Sequence, residues 1–196
     1  KYMQAAVEPG VGAMAAVLGV DNAQVSALCD EVRKHQVLSP ANFNSHGQVV
    51  IAGHRDAVIR AVDKAADFGA RLAKIIPVSV PSHCQLIAPA VEPFTQAIRA
   101  INEWSMPSIP IIHNAEVRSA DSIDEIQQLL VQQLTHPVRW VETIESMAAS
   151  GVSCFVESGP GLVLKGLNKR IVRAIPTYSL LNEPAFQESL KAIGDL

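Results

Sequence analysis

Apolar positions change their spacing several times along the chain, and each change marks an element. The run Ala13-Met14-Ala15-Ala16-Val17-Leu18-Gly19-Val20, preceded by Gly10 and Gly12, is short, continuous and apolar, the pattern of a buried strand. Asp21 stands where a helix N-cap belongs. Val25, Leu28, Cys29 and Val32 follow at helical spacing and predict an amphipathic helix to about Lys34. Val37 to Asn44 and Gln48 to Ala52 read as strands joined by the tight turn Ser45-His46-Gly47, a hairpin. Val58, Ile59, Val62, Ala65 and Ala66 give one apolar face to a helix from Arg55 to Phe68, which Gly69 stops. Leu72 to Val78 reads as a fourth strand. The order strand, helix, strand, strand, helix, strand is that of a split β-α-β, ferredoxin-like unit.

Beyond Val78 the rhythm becomes an alternation of strands and helices. A strand over 75–80 runs into Pro81-Ser82-His83-Cys84, and a helix through Phe94, Ile98 and Ile101 follows. Ile109 to His113 reads as a strand. Ser122-Ile123-Asp124-Glu125 is a capping box opening a helix with Ile126, Leu129, Leu130 and Leu134 on one face. Pro137 suits the first turn of a helix ending at Gly151, Val152 to Val156 reads as a strand, and Leu162 to Arg173 as a helix after the turn Gly159-Pro160-Gly161. Such alternation predicts a mostly parallel sheet flanked by helices. With so few strands that sheet is expected to be incomplete, the remaining strands lying on the N-terminal side of Lys1. The chain opens Lys1-Tyr2-Met3-Gln4, as though inside an element.

Composition narrows the function classes. The 196 residues are 48% hydrophobic and 18% charged with net charge −3, an ordinary globular balance, and no basic run marks a nucleic-acid surface. Apolar stretches are far shorter than the ~20 residues of a membrane helix, so neither nucleic acid nor membrane is an expected partner. Cys29, Cys84 and Cys154 are odd in number and form no C-x-x-C pair, which argues against a disulfide framework or zinc site and for a reducing, cytoplasmic setting.

Among six histidines no pair has metal-ligand spacing on one helix face. His35, His46 and His54 fall at element ends or turns and read as solvated, and His113, beside Asn114, also reads as non-functional. His83 differs by position. It follows an apolar strand where a helix begins, at the carboxyl edge of the presumed parallel sheet, where ligand clefts gather. A helix N-terminus also disfavours a positive imidazole, leaving it able to accept a proton. No G-x-S-x-G elbow accompanies it, and neither Ser82 nor Ser158 occupies a strand-to-helix elbow. Cys84 reads as a half-buried structural cysteine.

Several collinear stretches resemble the malonyl-CoA:acyl carrier protein transacylase family. They are 12–19 (GAMAAVLG), 42–54 (NFNSHGQVVIAGH), 77–84 (PVSVPSHC), Gln133-Leu134, 137–140 (PVRW), 157–161 (ESGPG) and 181–184 (LNEP). The resemblance implies an α/β-hydrolase-like core with an inserted ferredoxin-like subdomain, the core being residues 1–10 and 78–196 and the insert 11–77. It implies a cytoplasmic, cofactor-free acyltransferase of fatty acid biosynthesis whose substrates are coenzyme A and phosphopantetheine thioesters. Its partners would be malonyl-CoA and acyl carrier protein. A serine in a G-H-S-x-G elbow would carry the malonyl group between them. His83 matches the family's base, and Gln133 the residue whose main-chain carbonyl orients it. Asn42 and Asn44 match the cleft between subdomains, and Met3 and Val78 the pocket wall. The elbow, an oxyanion-hole glutamine and a carboxylate-binding arginine are expected before Lys1, so the 196 residues alone are expected to be inactive. Two alternatives stand beside this reading: an acyltransferase domain cut from a megasynthase, and a non-catalytic homologue that binds carrier protein or coenzyme A. Lys165, Lys169, Arg170 and Arg173 offer a basic surface for an acidic carrier.

Overall fold

The computed structural model describes residues 1–194, which divide into two compact units, Lys1–Trp140 and the remainder from Val141. The chain is α/β. In the first unit a short helix, α1 (Tyr2–Ala6), precedes strand β1 (Gly12–Leu18). Helix α2 (Asn22–Val32), the hairpin β2 (Leu38–Ser45) and β3 (Gln48–His54), helix α3 (Arg55–Lys64) and strand β4 (Leu72–Ile75) follow. The four strands form one antiparallel sheet in the order β2-β3-β1-β4, with Gly12 opposite His54, Leu18 opposite Gln48, and Ala15 opposite Ile75.

Period-2 alternation divides this sheet between two cores. Ala13, Ala15, Val17, Val49 and Ile51 face α2 and α3, where Val25, Leu28, Cys29, Ala57, Val58 and Ala61 close over them. Met14, Val50 and Ala52 point the other way and bury with Ala41 and Cys84. Both faces are covered, which is why β3 reads as an unbroken apolar run rather than an alternation. Asp21 caps α2 as expected: its carboxylate accepts from the Gln24 amide at 2.7 Å, while the Gln24 side chain accepts from the Asp21 amide at 3.0 Å. After α3 one 3-10 turn, Ala65–Phe68, ends at Gly69, whose φ of 88° only glycine adopts freely.

The remainder of this unit departs from the expected strands. The strand expected over 75–80 stops at Ile75. Pro77 and Pro81 have no N–H for a ladder, and the Val78 and Ser82 amides instead donate two residues back, to Ile76 and Val80. A 3-10 helix, Gln85–Ala90, interrupted by Pro89, leads into α4 (Val91–Arg99). Ile109 to His113 forms no strand; only an isolated bridge joins His113 to Arg118. Helix α5 (Ile123–Gln132) begins at Ser122, whose hydroxyl accepts from the Glu125 amide at 3.2 Å. The compact unit runs on to Trp140. Cys84 and Leu86 pack on the second sheet face, and Val138 is tied to β2 by amide bonds with Ala41 and Phe43 at 2.8 and 2.9 Å.

The second unit holds α6 (Trp140–Ala149, beginning on the last residue of the first unit), β5 (Phe155–Glu157), α7 (Val163–Ile171), β6 (Thr177–Ser179) and α8 (Glu183–Gly194). β5 and β6 are parallel and are the whole of the parallel sheet among the described residues. Glu157, almost fully buried, presents its carboxylate to the Leu164 and Lys165 amides at 3.0 and 2.8 Å, satisfying the first turn of α7. β6 and α8 lie beyond the elements read from the sequence.

Candidate active site

His83 sits in the irregular segment between β4 and the 3-10 helix. The strand before it is antiparallel rather than parallel and ends at Ile75, and the element after it opens as a 3-10 turn rather than an α-helix. Its position is set by two neighbours instead. Pro81, fully buried, lies directly over Gly12 of β1: a Cβ built on Gly12 would come within 2.3 Å of the Pro81 ring. Cys84, 1% exposed, is buried on the second sheet face and donates its thiol to the Pro81 carbonyl at 3.2 Å. Burial pushes that thiol up to about 11, so it is packing rather than nucleophile. Between these anchors His83 adopts φ 61°, a left-handed backbone that costs a non-glycine residue about 1–2 kcal/mol.

The imidazole is half-buried, and its Nδ1 lies 2.7 Å from the main-chain oxygen of Gln133. A carbonyl can only accept, so Nδ1 carries the proton and, in the neutral ring, Nε2 holds the lone pair. Gln133 is the C-cap of α5; its amide bonds to the Leu129 carbonyl, and the helix end leaves its own carbonyl free for the imidazole. The bond joins residues 50 apart in sequence. A histidine held in one tautomer by a fixed acceptor, with its other nitrogen available, can take and return a proton.

The other sequence-selected residues are placed as follows. Asn42 and Asn44 lie on β2, both half-buried, at irregularities in its pairing with β3, and Asn42 forms a parallel bridge with Val138, five residues beyond Gln133. Met3 on α1 is half-buried against Ile87, Ala90 and Leu134, the last adjacent to Gln133. Val78 is 47% exposed in the loop after β4. Ser82 is half-buried beside the histidine, and Ser158 is exposed in the second unit. His54 is structural: its Nδ1 accepts from the Val37 amide at 2.9 Å at the base of the hairpin. A groove of about 620 Å³ between α4 and α5 is lined by Arg99, Asp124 and Gln132 among others, but by neither His83 nor Gln133. Sequence reasoning missed Gly12, whose lack of a side chain seats the histidine loop; glycine before an apolar run was read only as a boundary. No helix among the described residues is long and apolar enough to cross a membrane.

The chain that carries this histidine, on a loop clamped to an antiparallel sheet, has known relatives. Residues 1–182 match the family described as acyl transferase domain, and the chain belongs to that family. Its curated relatives include malonyl CoA-acyl carrier protein transacylases: that of Escherichia coli K12 is 48% identical over 185 residues, and that of Staphylococcus aureus COL 34% over 181. These matches cover 94% and 92% of this chain but 59% and 58% of the relatives, so the chain spans under two thirds of their length. The malonyl CoA-acyl carrier protein transacylase of Coxiella burnetii superposes with a TM-score of 0.94 at 43% identity, covering 97% of this chain and 60% of that one. A malonyl-transacylase solved in complex with a type II polyketide acyl-carrier protein gives 0.95 at 42% identity, covering 97% and 62%.

Proposed function

We propose that the chain is the histidine-bearing part of a malonyl-CoA:acyl carrier protein transacylase. The observation that carries this reading is the 2.7 Å contact between His83 Nδ1 and the Gln133 carbonyl, which leaves Nε2 as the base. A serine hydroxyl, supplied from outside these 196 residues, loses its proton to Nε2 as its oxygen attacks the malonyl thioester carbon. The carbon–sulfur bond breaks and coenzyme A leaves with that proton. The phosphopantetheine thiol of acyl carrier protein then gives its proton to Nε2 and attacks the ester, and the serine recovers its hydrogen. The main-chain carbonyl of Gln133 does for the imidazole what an aspartate does in a hydrolase triad: it fixes tautomer and direction. Asn42, Asn44, Met3 and Val78 belong to the substrate cleft in this reading. The transfer needs no cofactor, and the setting is cytoplasmic.

The β2-β3-β1-β4 order and two covering helices support a ferredoxin-like subdomain over 11–77, inserted in an α/β-hydrolase-like core of 1–10 and 78–196. Between Ser158 and Asn182 the chain carries Lys165, Lys169, Arg170 and Arg173 and no acid, against a net charge of −3 overall. That local excess suits an acidic carrier protein.

The test joins this chain to the portion of the Escherichia coli relative that it does not match and follows malonyl transfer from coenzyme A to carrier protein. The chain alone is expected to give only buffer background. In the chimera His83→Ala should lower kcat by about 10²–10⁴. Gln133→Ala, which keeps the carbonyl, should stay within about threefold of the parent. Activity surviving His83→Ala, or lost with Gln133→Ala in a folded protein, would remove the mechanism.

A further inference from the structure

The tautomer of His83 depends on a carbonyl at a helix end, the part of a helix that frays first. Gln133 caps α5, and the carbonyl before it, on Gln132, is already crowded: it accepts from the Thr135 and His136 amides, both at 3.2 Å, and lies 2.8 Å from His136 Nδ1. The Gln133 carbonyl is the one left for the imidazole. A small rotation of this last turn carries it off the ring.

One turn, residues 113–118, reaches both ends of α5 and the chain beyond it. It closes on itself through the His113 amide to the Arg118 carbonyl at 2.9 Å and the Val117 amide to the His113 carbonyl at 2.8 Å. From this turn the Arg118 guanidinium donates to Glu125, in the first turn of α5, and to Glu116 Oε2 at 2.8 Å. Glu116 also bonds to the side chain of Gln132, the last residue of α5. Glu125 and Gln132 lie about two helical turns apart, so they share one face some ~10 Å along the axis. Past the helix, the Arg139 amide donates to the Asn114 carbonyl at 3.1 Å. Gln133 therefore stands between two ties to the same turn. That turn is itself strained. Val117, a β-branched residue, has φ 59°, and the buried atoms His113 Nε2 and Asn114 Oδ1 have no hydrogen-bond partner among the described residues. Features of this kind persist where the surrounding contacts over-determine them.

We propose that Arg118 is a positioning residue for the transfer, acting through α5. It ties Glu125 at the helix start and, through Glu116, Gln132 at the helix end, and so fixes where the Gln133 carbonyl meets His83. Its planar fork suits the task, reaching Glu116, Glu125 and the Ser119 carbonyl (3.2 Å) together, which a lysine ammonium cannot match.

The inference rests on His83 being the base, but its first readout is the imidazole itself, which needs no transfer activity. Partly exposed ion pairs add little to global stability, so Arg118→Met should melt within about 3 °C of the parent. The ring nitrogen resonances of His83 should show the Nδ1–H tautomer in the parent chain. In Arg118→Met the Nε2–H tautomer should grow, and the ring proton should exchange with water about tenfold faster or more. Arg118→Lys should fall between the two. Lys64→Met, which removes a comparably exposed pair with Asp67 on α3, should leave the ring unchanged. In the chimera with the unmatched portion of the Escherichia coli relative, Arg118→Met should lower kcat by about tenfold. KM for malonyl-CoA should stay within about twofold, the mark of a misplaced base rather than a lost binding contact. Glu125→Gln should act in the same direction and add little to Arg118→Met; it supplies the test if Arg118→Met fails to fold. A His83 ring indifferent to both variants, or disturbed equally by Lys64→Met, would overturn the proposal. An inactive parent chimera whose ring still responds to Arg118→Met would count against the transfer mechanism alone.

Discussion

The seat of the histidine loop can be tested at one atom. In Gly12→Ala the new Cβ would lie 2.3 Å from Pro81 Cγ, 2.8 Å from Cδ and 2.9 Å from Cβ. Carbon atoms rest about 3.5–4.0 Å apart, so the buried ring must retreat by roughly 1.2 Å. It cannot do so alone, because its carbonyl accepts the Cys84 thiol and His83 lies between them. Overpacking of this kind costs about 1–3 kcal/mol. Carrying His83 the whole of that distance away from Gln133 would lengthen the 2.7 Å contact to about 3.9 Å, past useful range, forfeiting about 1 kcal/mol more. The sum, about 2–4 kcal/mol, corresponds to a melting point lowered by about 4–16 °C at this chain length. Circular dichroism would measure the shift, and the ring Nδ1 proton resonance would report the histidine contact. Adding Pro81→Ala removes Cγ and Cδ and should restore part of the loss. A Gly12→Ala melt within about 1 °C of the parent, or strictly additive single and double variants, would refute the reasoning.

Two further outcomes follow from buried titratable groups. Burial raises the Cys29 thiol to about 12 and the Cys84 thiol to about 11, so at pH 8 about one in a thousand Cys84 thiols or fewer is ionised. A thiol reagent should label Cys154 in the native chain and the other two only after denaturation; fast native labelling of Cys84 would contradict its packing. His113 is 7% exposed, its Nε2 has no partner among the described residues, and burial, then the nearby Arg118, lowers its pKa, with Glu125 opposing. A lowered folded value means that its contribution to stability is complete above the unfolded histidine value and is lost as pH falls through the folded one. Urea unfolding should therefore weaken from pH 7.5 to 5.5, and His113→Gln should flatten that slope; an unchanged slope would exclude the residue as its source.

Where the face of an element is set by local spacing, the sequence was sufficient. The apolar spacing of Val25, Leu28, Cys29 and Val32, the Asp21 and Ser122 caps, and the turn before Gln48 specified α2, α5 and the hairpin. Each is decided by neighbours within about one or two turns. The strands expected over 75–80 and 109–113 failed because strand propensity becomes a strand only when a partner accepts its amides. Pro77 withholds a donor from the first, and among the described residues only Arg118 meets the second, at His113. The histidine shows the same division. Spacing and neighbouring residues singled out His83, and resemblance alone named Gln133. Only the tertiary structure bends His83 to a φ of 61° and brings its Nδ1 to a carbonyl 50 residues away. That acceptor belongs to the main chain, which every residue possesses, so no side-chain pattern could announce it. Likewise a glycine says that a side chain is missing, and the fold decides that Pro81 fills the space above Gly12.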